Sequence, residues 1–203
     1  MKRLRIVVRV LGLLVVLALL LVVGAGVLSV GVPDRGMGSS LDDGDRVLLV
    51  PFAGPDDLER LDLVATRFGP GTTVVVRRVV AVGGDRIRIV PDPAGPRVEV
   101  QPGGNGDWSR VVNPAWRMDA ADPAFGQACC APDGRAAPAP ADVQVPADAL
   151  YLMGDDYPGA ADSRTQGFAP RSEVRGVVWL RVWPVGGFGS AGPDVSLTPV
   201  EQG

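Results

Sequence analysis

The feature that most constrains this chain is an uncharged, apolar segment of 21 residues, from 10 to 30. About 20 apolar residues are enough for an α-helix to cross the hydrocarbon layer of a bilayer. Four basic residues lie within residues 1–9, and positive charge at one end of a membrane helix favours the cytoplasmic side. The sequence therefore predicts a cytoplasmic start over 1–9, a single transmembrane helix over 10–30 and an extracytoplasmic domain in the cell membrane.

A cleaved secretory signal is the alternative interpretation of the same segment. Its apolar region would end near Val23, with Gly24 and Ala25 at the cleavage site. Apolar residues continue past Ala25 to residue 30, which a cleaved signal would not need. The anchor interpretation accounts for this extension, and it makes membrane lipid the first expected partner.

The basic residues limit the chemistry of the domain. Lys2 is the only lysine, the other 19 of the 20 basic residues are arginines, and histidine is absent. A serine nucleophile is usually activated by a neighbouring histidine or by a lysine whose pKa is lowered by burial. Because Lys2 precedes the apolar segment, we expect neither kind of base in the domain.

Charge and cysteine usage exclude further classes. The net charge is −3 and the arginines are scattered, which argues against a nucleic-acid partner. Cys129 and Cys130 are the only cysteines, and without histidine they cannot complete a zinc site. We expect no metal and no cofactor, while a bond between the two neighbouring cysteines stays open.

The sequence after the apolar segment is typical of a β domain. Short β-branched runs separated by Gly, Pro and Asp predict strands over 47–50, 62–64, 72–82, 86–90 and 98–100. The alternation of arginine and isoleucine over 86–89 predicts a half-buried antiparallel strand. Residues 101–147 are expected to form a variable surface insertion, 177–184 a closing strand with its tryptophans in the core and Trp183 near the membrane surface, and 189–203 a disordered tail.

The segment from 36 to 45 reads Gly-Met-Gly-Ser-Ser-Leu-Asp-Asp-Gly-Asp, and its Gly and Asp residues favour a turn into a strand. It resembles the nucleophile motif of type I signal peptidases, Ser-Met-x-Pro-Thr-Leu-x-x-Gly-Asp. Alignment on Leu41, Gly44 and Asp45 places the nucleophilic serine of that family at Gly36 and its oxyanion-stabilising serine at Asp34. Glycine has no side chain with which to attack a carbonyl, and a carboxylate at 34 would repel an oxyanion.

The segment from 75 to 85 resembles the second motif of the family, Lys-Arg-Val-x-Gly-x-Pro-Gly-Asp. Arg77 stands at the position of the general-base lysine. A buried ammonium can become neutral and accept a proton, whereas a guanidinium stays protonated in proteins. Arg77 is therefore not expected to act as a base, and an Arg-Arg pair outside such a motif is usually a surface charge.

The segment from 154 to 164 resembles the third motif, Gly-Asp-Asn-Arg-x-x-Ser-x-Asp-Ser-Arg. Ala160 replaces the serine that orients the family's lysine. Asp162 and Arg164 remain, and the resemblance implies that they form an ion pair that braces the loops around the cleft.

Together the motifs imply a mostly β, antiparallel domain of signal peptidase type over 36–188, beside the membrane. We expect a family member without peptidase activity, which binds extended peptide or preprotein segments or accompanies an active homologue. The alternative is an active serine endopeptidase that processes signal peptides through Ser39 or Ser40 as a displaced nucleophile. Ser39 is three residues from the family's position, roughly 10 Å along an extended chain, and no base is evident for it.

Overall fold

The computed structural model describes residues 2–38, 40–50, 57–116, 121–122 and 126–200. Its helices are α1 (Lys2–Leu28) and α2 (Ser163–Gln166). Its strands in chain order are β1 (Ser29–Gly31), β2 (Arg46–Val50), β3 (Leu63–Thr66), β4 (Val75–Val82), β5 (Arg86–Val90), β6 (Arg97–Gln101), β7 (Ser109–Val112), β8 (Ala128–Cys129), β9 (Ala136–Ala137), β10 (Val143–Gln144), β11 (Ala149–Met153), β12 (Ala169–Pro170), β13 (Gly176–Trp183) and β14 (Ser196–Pro199).

The N-terminal segment forms α1, a helix of 27 residues, and the chain passes directly from it into β1. The helix ends at Leu28, just before the predicted boundary at residue 30, and residues 29–30 pair with β2 as part of a sheet. Within the part of the chain whose placement is described, no helix has the combined length and apolar character needed to cross a membrane. The structure therefore does not support the transmembrane helix predicted over 10–30.

The strands form two antiparallel sheets, as the sequence predicts. The first has the order β1-β2-β13-β3-β4-β11-β12, and the second has the order β14-β7-β6-β5-β8-β9, with β10 also paired to β5. Strands β4 and β5 are joined by the short turn at residues 83–85, so the chain passes directly from one sheet to the other. A larger apolar cluster includes inward residues of both sheets, among them Val80 and Tyr151 from the first and Ile87 and Val100 from the second.

Strand β5 confirms the predicted alternation. Ile87 and Ile89 are buried, whereas Arg86 is exposed and Arg88 is half-buried. Arg88 donates to the Glu99 carboxylate on β6 at 2.7 Å. The period of two residues therefore gives the correct inward face of this strand.

The predicted surface insertion over 101–147 contains ordered strands. It contributes the last residue of β6 and all of β7, β8, β9 and β10 to the second sheet. Cys129 and Cys130, whose pairing the sequence leaves open, are joined by a disulfide, and both are buried. This Pro- and Ala-rich segment has low β-propensity, and its strands have only two to four residues. The sequence pattern therefore did not predict them.

Two expectations for the end of the chain are wrong. Residues 189–200 are not disordered, because β14 pairs with β7 from Ser196 opposite Val112 to Pro199 opposite Ser109; residues 201–203 lie outside the described part. The tryptophans of β13 are not in the core, because Trp179 is 66% exposed and Trp183 is 55% exposed. Both faces of β13 therefore carry partly exposed side chains, which the apolar sequence does not reveal.

Candidate functional site

Two loops of the first sheet, the turn after β1 and the loop after β11, meet at one place. Gly36 lies in the turn between β1 and β2, and its carbonyl accepts a hydrogen bond from the Asp156 N–H at 3.1 Å. Gly154 follows β11 and packs against both the Gly36 carbonyl and Ala160, so closely that a side chain at 154 would overlap both. The absence of a side chain at Gly154 therefore allows the first and third motifs to come together.

The guanidinium of Arg77 projects from β4 into this meeting point. Arg77 has no solvent-exposed surface. A Cβ atom added to Gly36 would lie 2.5–2.7 Å from the guanidinium carbon and nitrogens. Real Cβ atoms do not approach other atoms so closely, so the guanidinium occupies the space that a side chain at 36 would need.

Four acceptor atoms hold the guanidinium in this place. Its two terminal nitrogens donate to the Asp34 carboxylate at 3.0 and 2.8 Å, in the bidentate arrangement typical of arginine and carboxylate. One of them also donates to the Val76 carbonyl at 2.6 Å, and Nε donates to the Ala161 carbonyl at 3.1 Å. An Arg-Arg pair outside such a motif is usually a surface charge. Arg77 is instead fully buried and paired with Asp34.

Asp34 supplies the compensating negative charge. Partial burial alone would raise the pKa of Asp34, but the hydrogen bonds and positive charge of Arg77, with the Gly36 N–H, hold that pKa below its ordinary value of 3.8. The carboxylate that we expected to oppose an oxyanion instead accepts hydrogen bonds from Arg77 and Gly36. Its role in this structure is to neutralise a buried guanidinium.

The two serines proposed as displaced nucleophiles differ in what the structure shows. Ser39 lies outside the described residues. Ser40 is buried, and its hydroxyl donates to Asp155 Oδ2 at 2.6 Å. The Asp155 carboxylate also accepts two hydrogen bonds from Arg78, at 2.9 and 2.7 Å, and one from Asn113 at 2.7 Å. Four donors fill the roughly four acceptor positions of a carboxylate, so Ser40 belongs to a satisfied structural network.

This Asp155 network was not expected from the sequence. It joins the first motif through Ser40, β4 through Arg78 and the second sheet through Asn113. Asp155 directly follows Gly154 in the third motif, and this position could have marked it as a structural residue. Asn113 offered no signal, because it lies in the segment expected to be a variable insertion.

The structure also brings Asp162 and Arg164 together. Arg164 donates from Nε and from a terminal nitrogen to the two Asp162 oxygens, at 2.9 and 2.6 Å, and both residues are buried. Asp162 also accepts the Gly154 N–H at 3.0 Å, while the Arg164 guanidinium lies over the Tyr157 ring at 4.1 Å. The pair therefore fixes the loop that carries both Gly154 and Ala160.

Comparison with known proteins identifies the family of the chain. Residues 4–183 match the family model described as signal peptidase, peptidase S26. This chain belongs to that signal peptidase family. Signal peptidase I of Leptolyngbya laminosa is 38% identical over 53 residues, which are 26% of this chain and 26% of that protein. The alignment thus spans about a quarter of the curated relative.

Within this signal peptidase family member, the three motif positions that carry the chemistry of the resemblance are neighbours in space. Gly36 faces Arg77, and Gly154 links Gly36 to Ala160. Gly36 has no side chain, Ala160 carries only a methyl group and Arg77 carries a guanidinium. None of these three residues therefore supplies a hydroxyl, a thiol or an amine. The Arg77 guanidinium holds a positive charge at this point, and a guanidinium does not accept a proton in proteins.

We expect the Gly36→Ser substitution to destabilise the domain by about 1–3 kcal/mol, because the added atoms overpack the Arg77 guanidinium. In an Arg77→Lys background the same substitution should cost less, since the ammonium lacks the planar group that fills this space. Urea unfolding of the four proteins in this double-mutant cycle measures the coupling. Gly31→Ser is the matched control, because a Cβ there meets no atom within 4 Å. Equal stability loss in Gly36→Ser and Gly31→Ser would contradict the packing described.

We also expect Asp34 to make stability depend on pH in the acid range. Its pKa is lowered in the folded protein, so its contribution is complete above the unfolded value of about 3.8 and is lost as pH falls through the lower folded pKa. At neutral pH the Asp34→Asn variant should be less stable than the unmodified protein, because Arg77 keeps its charge without a charged partner. The difference in unfolding free energy should shrink below pH 3.8. A difference that is constant with pH would show that the carboxylate charge does not stabilise the pair.

Proposed function

We propose that this signal peptidase family member has no peptidase activity and acts as a binding or accessory protein. The observation that carries the proposal is the contact between the Arg77 guanidinium and Gly36. Serine endopeptidase chemistry needs a nucleophile, a base that accepts its proton and donors that stabilise the oxyanion. At the corresponding positions this chain has a glycine, a permanently charged guanidinium and a carboxylate.

The surroundings of Arg77 support this proposal independently of the alignment. The guanidinium hydrogen-bonds the Val76 and Ala161 carbonyls, so it uses backbone acceptors that lie beside the motif positions. Two carboxylate–guanidinium pairs brace the loops, Asp162 with Arg164 and Asp155 with Arg78. A fold that keeps its bracing charges while its reacting groups are replaced fits a role in binding.

The proposed ligands are extended peptide or preprotein segments, and the proposed protein partner is an active homologue in the same membrane. Antiparallel sheets with accessible edges bind such segments by strand addition, in which the ligand backbone completes the ladder. The alternative function, cleavage of signal peptides by a displaced serine, depends on Ser39 or Ser40. The hydrogen bond from Ser40 to the fully engaged Asp155 weighs against that alternative.

The first test is direct. The purified full-length protein, mixed in detergent with a preprotein substrate, should give no cleavage product by mass spectrometry. The triple variant Gly36→Ser, Arg77→Lys, Ala160→Ser should also be inactive, because Asp34 would hold the lysine as a charged ammonium. Adding Asp34→Ser to that variant should produce measurable cleavage.

An active signal peptidase I serves as the positive control in the same assay. Cleavage by the unmodified protein that disappears in Ser39→Ala or Ser40→Ala would establish the alternative function. Cleavage that survives both substitutions would point to a contaminating peptidase. An inactive quadruple variant that folds normally would show that the cleft differs from the family's in more than these four side chains.

We further propose that the protein is held at the cell membrane, with its β domain on the extracytoplasmic side. Support comes from the exposed leucine-rich surface of α1 and from the exposed side chains of Trp179, Trp183, Val185 and Phe188 near the C-terminal end of β13. Indole rings favour the membrane–water interface. Large exposed apolar surfaces mark sites of contact with membranes or with other proteins.

Vesicle flotation tests this proposal. The full-length protein should float with phosphatidylglycerol-containing vesicles, and tryptophan fluorescence should shift to shorter wavelength on binding. The shift should be smaller in Trp183→Phe, which keeps the other three of the four tryptophans. Protease added to spheroplasts should digest the β domain. A domain protected from that protease, or a protein released without its first 25 residues, would contradict the proposed anchoring and orientation.

A further inference from the structure

Strand β14 is the last element of the described chain and lies at the edge of the second sheet. It pairs with β7 alone, through four residues, and the Val200 N–H extends the pairing to the Trp108 carbonyl at 2.9 Å. Ser196, Thr198 and Pro199 are exposed, and only Leu197 among the four strand residues is half-buried. Few apolar contacts therefore hold this strand, which places it among the elements that open locally.

Gly192, which precedes β14, packs closely against the Asp155 network. Gly192 packs against the Arg78 guanidinium, where an added Cβ would lie at 3.0 Å, and it has a φ of +97° that favours glycine. Pro193 follows it directly. The chain is thus anchored over the Asp155 network at Gly192, and residues 194–200 form the part that can leave β7 without disturbing the network.

The contacts of residues 194–200 define what the β7 edge recognises. Val195 and Leu197 lie two residues apart and pack against the larger apolar cluster, with Leu197 opposite the buried Val111. On the outer face, Ser196 lies opposite Val112 and Thr198 lies opposite Arg110. Val112 and Arg110 are both exposed. The Thr198 hydroxyl donates to the Arg110 carbonyl at 3.5 Å, but Thr198 offers no opposite charge to the Arg110 guanidinium.

We propose that the edge of β7 is a docking site for an extended peptide and that β14 is its resident, replaceable occupant. The inference rests on the proposed binding function and assigns that function to one strand edge. The peptide has aliphatic side chains at two alternate positions and an acidic side chain opposite Arg110. Such a peptide reproduces the inward contacts of β14 and adds an attractive cross-strand pair that Thr198 does not supply.

Competition with the tethered strand sets the strength of binding. A strand joined by a short linker acts at an effective concentration of the order of millimolar. Weakening β14 therefore raises the apparent affinity for an added peptide, whereas an unmodified chain binds the same peptide weakly. Access to the β7 edge depends on how firmly β14 is held.

The test uses the full-length protein and a fluorescent peptide with the sequence of residues 194–200. Leu197→Asp removes the half-buried side chain, and we expect it to tighten peptide binding at least tenfold, measured by anisotropy. Ser196→Asp is the matched control, because it adds the same charge on the exposed face of the same strand, and it should leave binding as in the unmodified protein. Equal binding by all three proteins would overturn the proposal.

The charge of Arg110 on β7 tests whether the bound peptide pairs with β7 in the same register as β14. In the Leu197→Asp background, a peptide with glutamate at the Thr198 position should bind about two- to fivefold more tightly than the threonine peptide, and one with lysine should bind more weakly. Arg110→Glu should reverse this preference. A preference that ignores the sign at 110 would place the peptide elsewhere and overturn the assignment to β7.

A measurement on the unmodified protein covers the case in which Leu197→Asp does not fold. Hydrogen exchange should show the amides of residues 196–198 exchanging at least tenfold faster than those of the β5–β6 ladder, because β14 opens locally. Equal protection of the two would overturn the proposal. These outcomes are separate from the peptidase test, since the probe peptide can be checked for intactness by mass and a cleaving enzyme could still bind it at β7.

Discussion

A guanidinium with no exposed surface needs acceptors for its hydrogens, an opposite charge and room for its plane. Arg77 obtains the opposite charge from Asp34, further acceptors from the Val76 and Ala161 carbonyls, and room from the missing side chain at Gly36. Leaving such a group unpaired destabilises the fold, although solvent screening at the partly exposed Asp34 carboxylate lowers the cost below that of a fully buried pair. The turn after β1, strand β4 and the loop after β11 must therefore keep their positions relative to one another.

Two further carboxylates extend this arrangement outward. Asp162 holds Arg164 and the Gly154 N–H, which fixes the loop beside Gly36. Asp155 holds Arg78 and also reaches Ser40 and Asn113, so it connects the two sheets. Neighbouring arginines on β4 thus pair with carboxylates from different segments, and the two ion pairs tie the first motif to the rest of the domain.

The sequence predicted the antiparallel β architecture because β-branched runs and turn residues alternate clearly up to residue 100. It also pointed to Gly36, Arg77 and Ala160, because those positions stand within recognisable motifs. It could not reveal that Asp34 pairs with Arg77, since the two are 43 residues apart and only the folded chain brings them together. The short strands after residue 101 and the pairing of β14 escaped prediction because tertiary contacts, rather than propensity, hold them.

The shared space of Gly36 and Arg77 also means that the residues at these two positions cannot be chosen independently. A Cβ atom at position 36 would lie 2.5–2.7 Å from the Arg77 guanidinium, so each of the two sites limits the size of the other. A side chain can be introduced at 36 without overlap only if the group at 77 becomes smaller or moves. Any redesign of this part of the cleft must therefore treat positions 36 and 77 as one unit of volume.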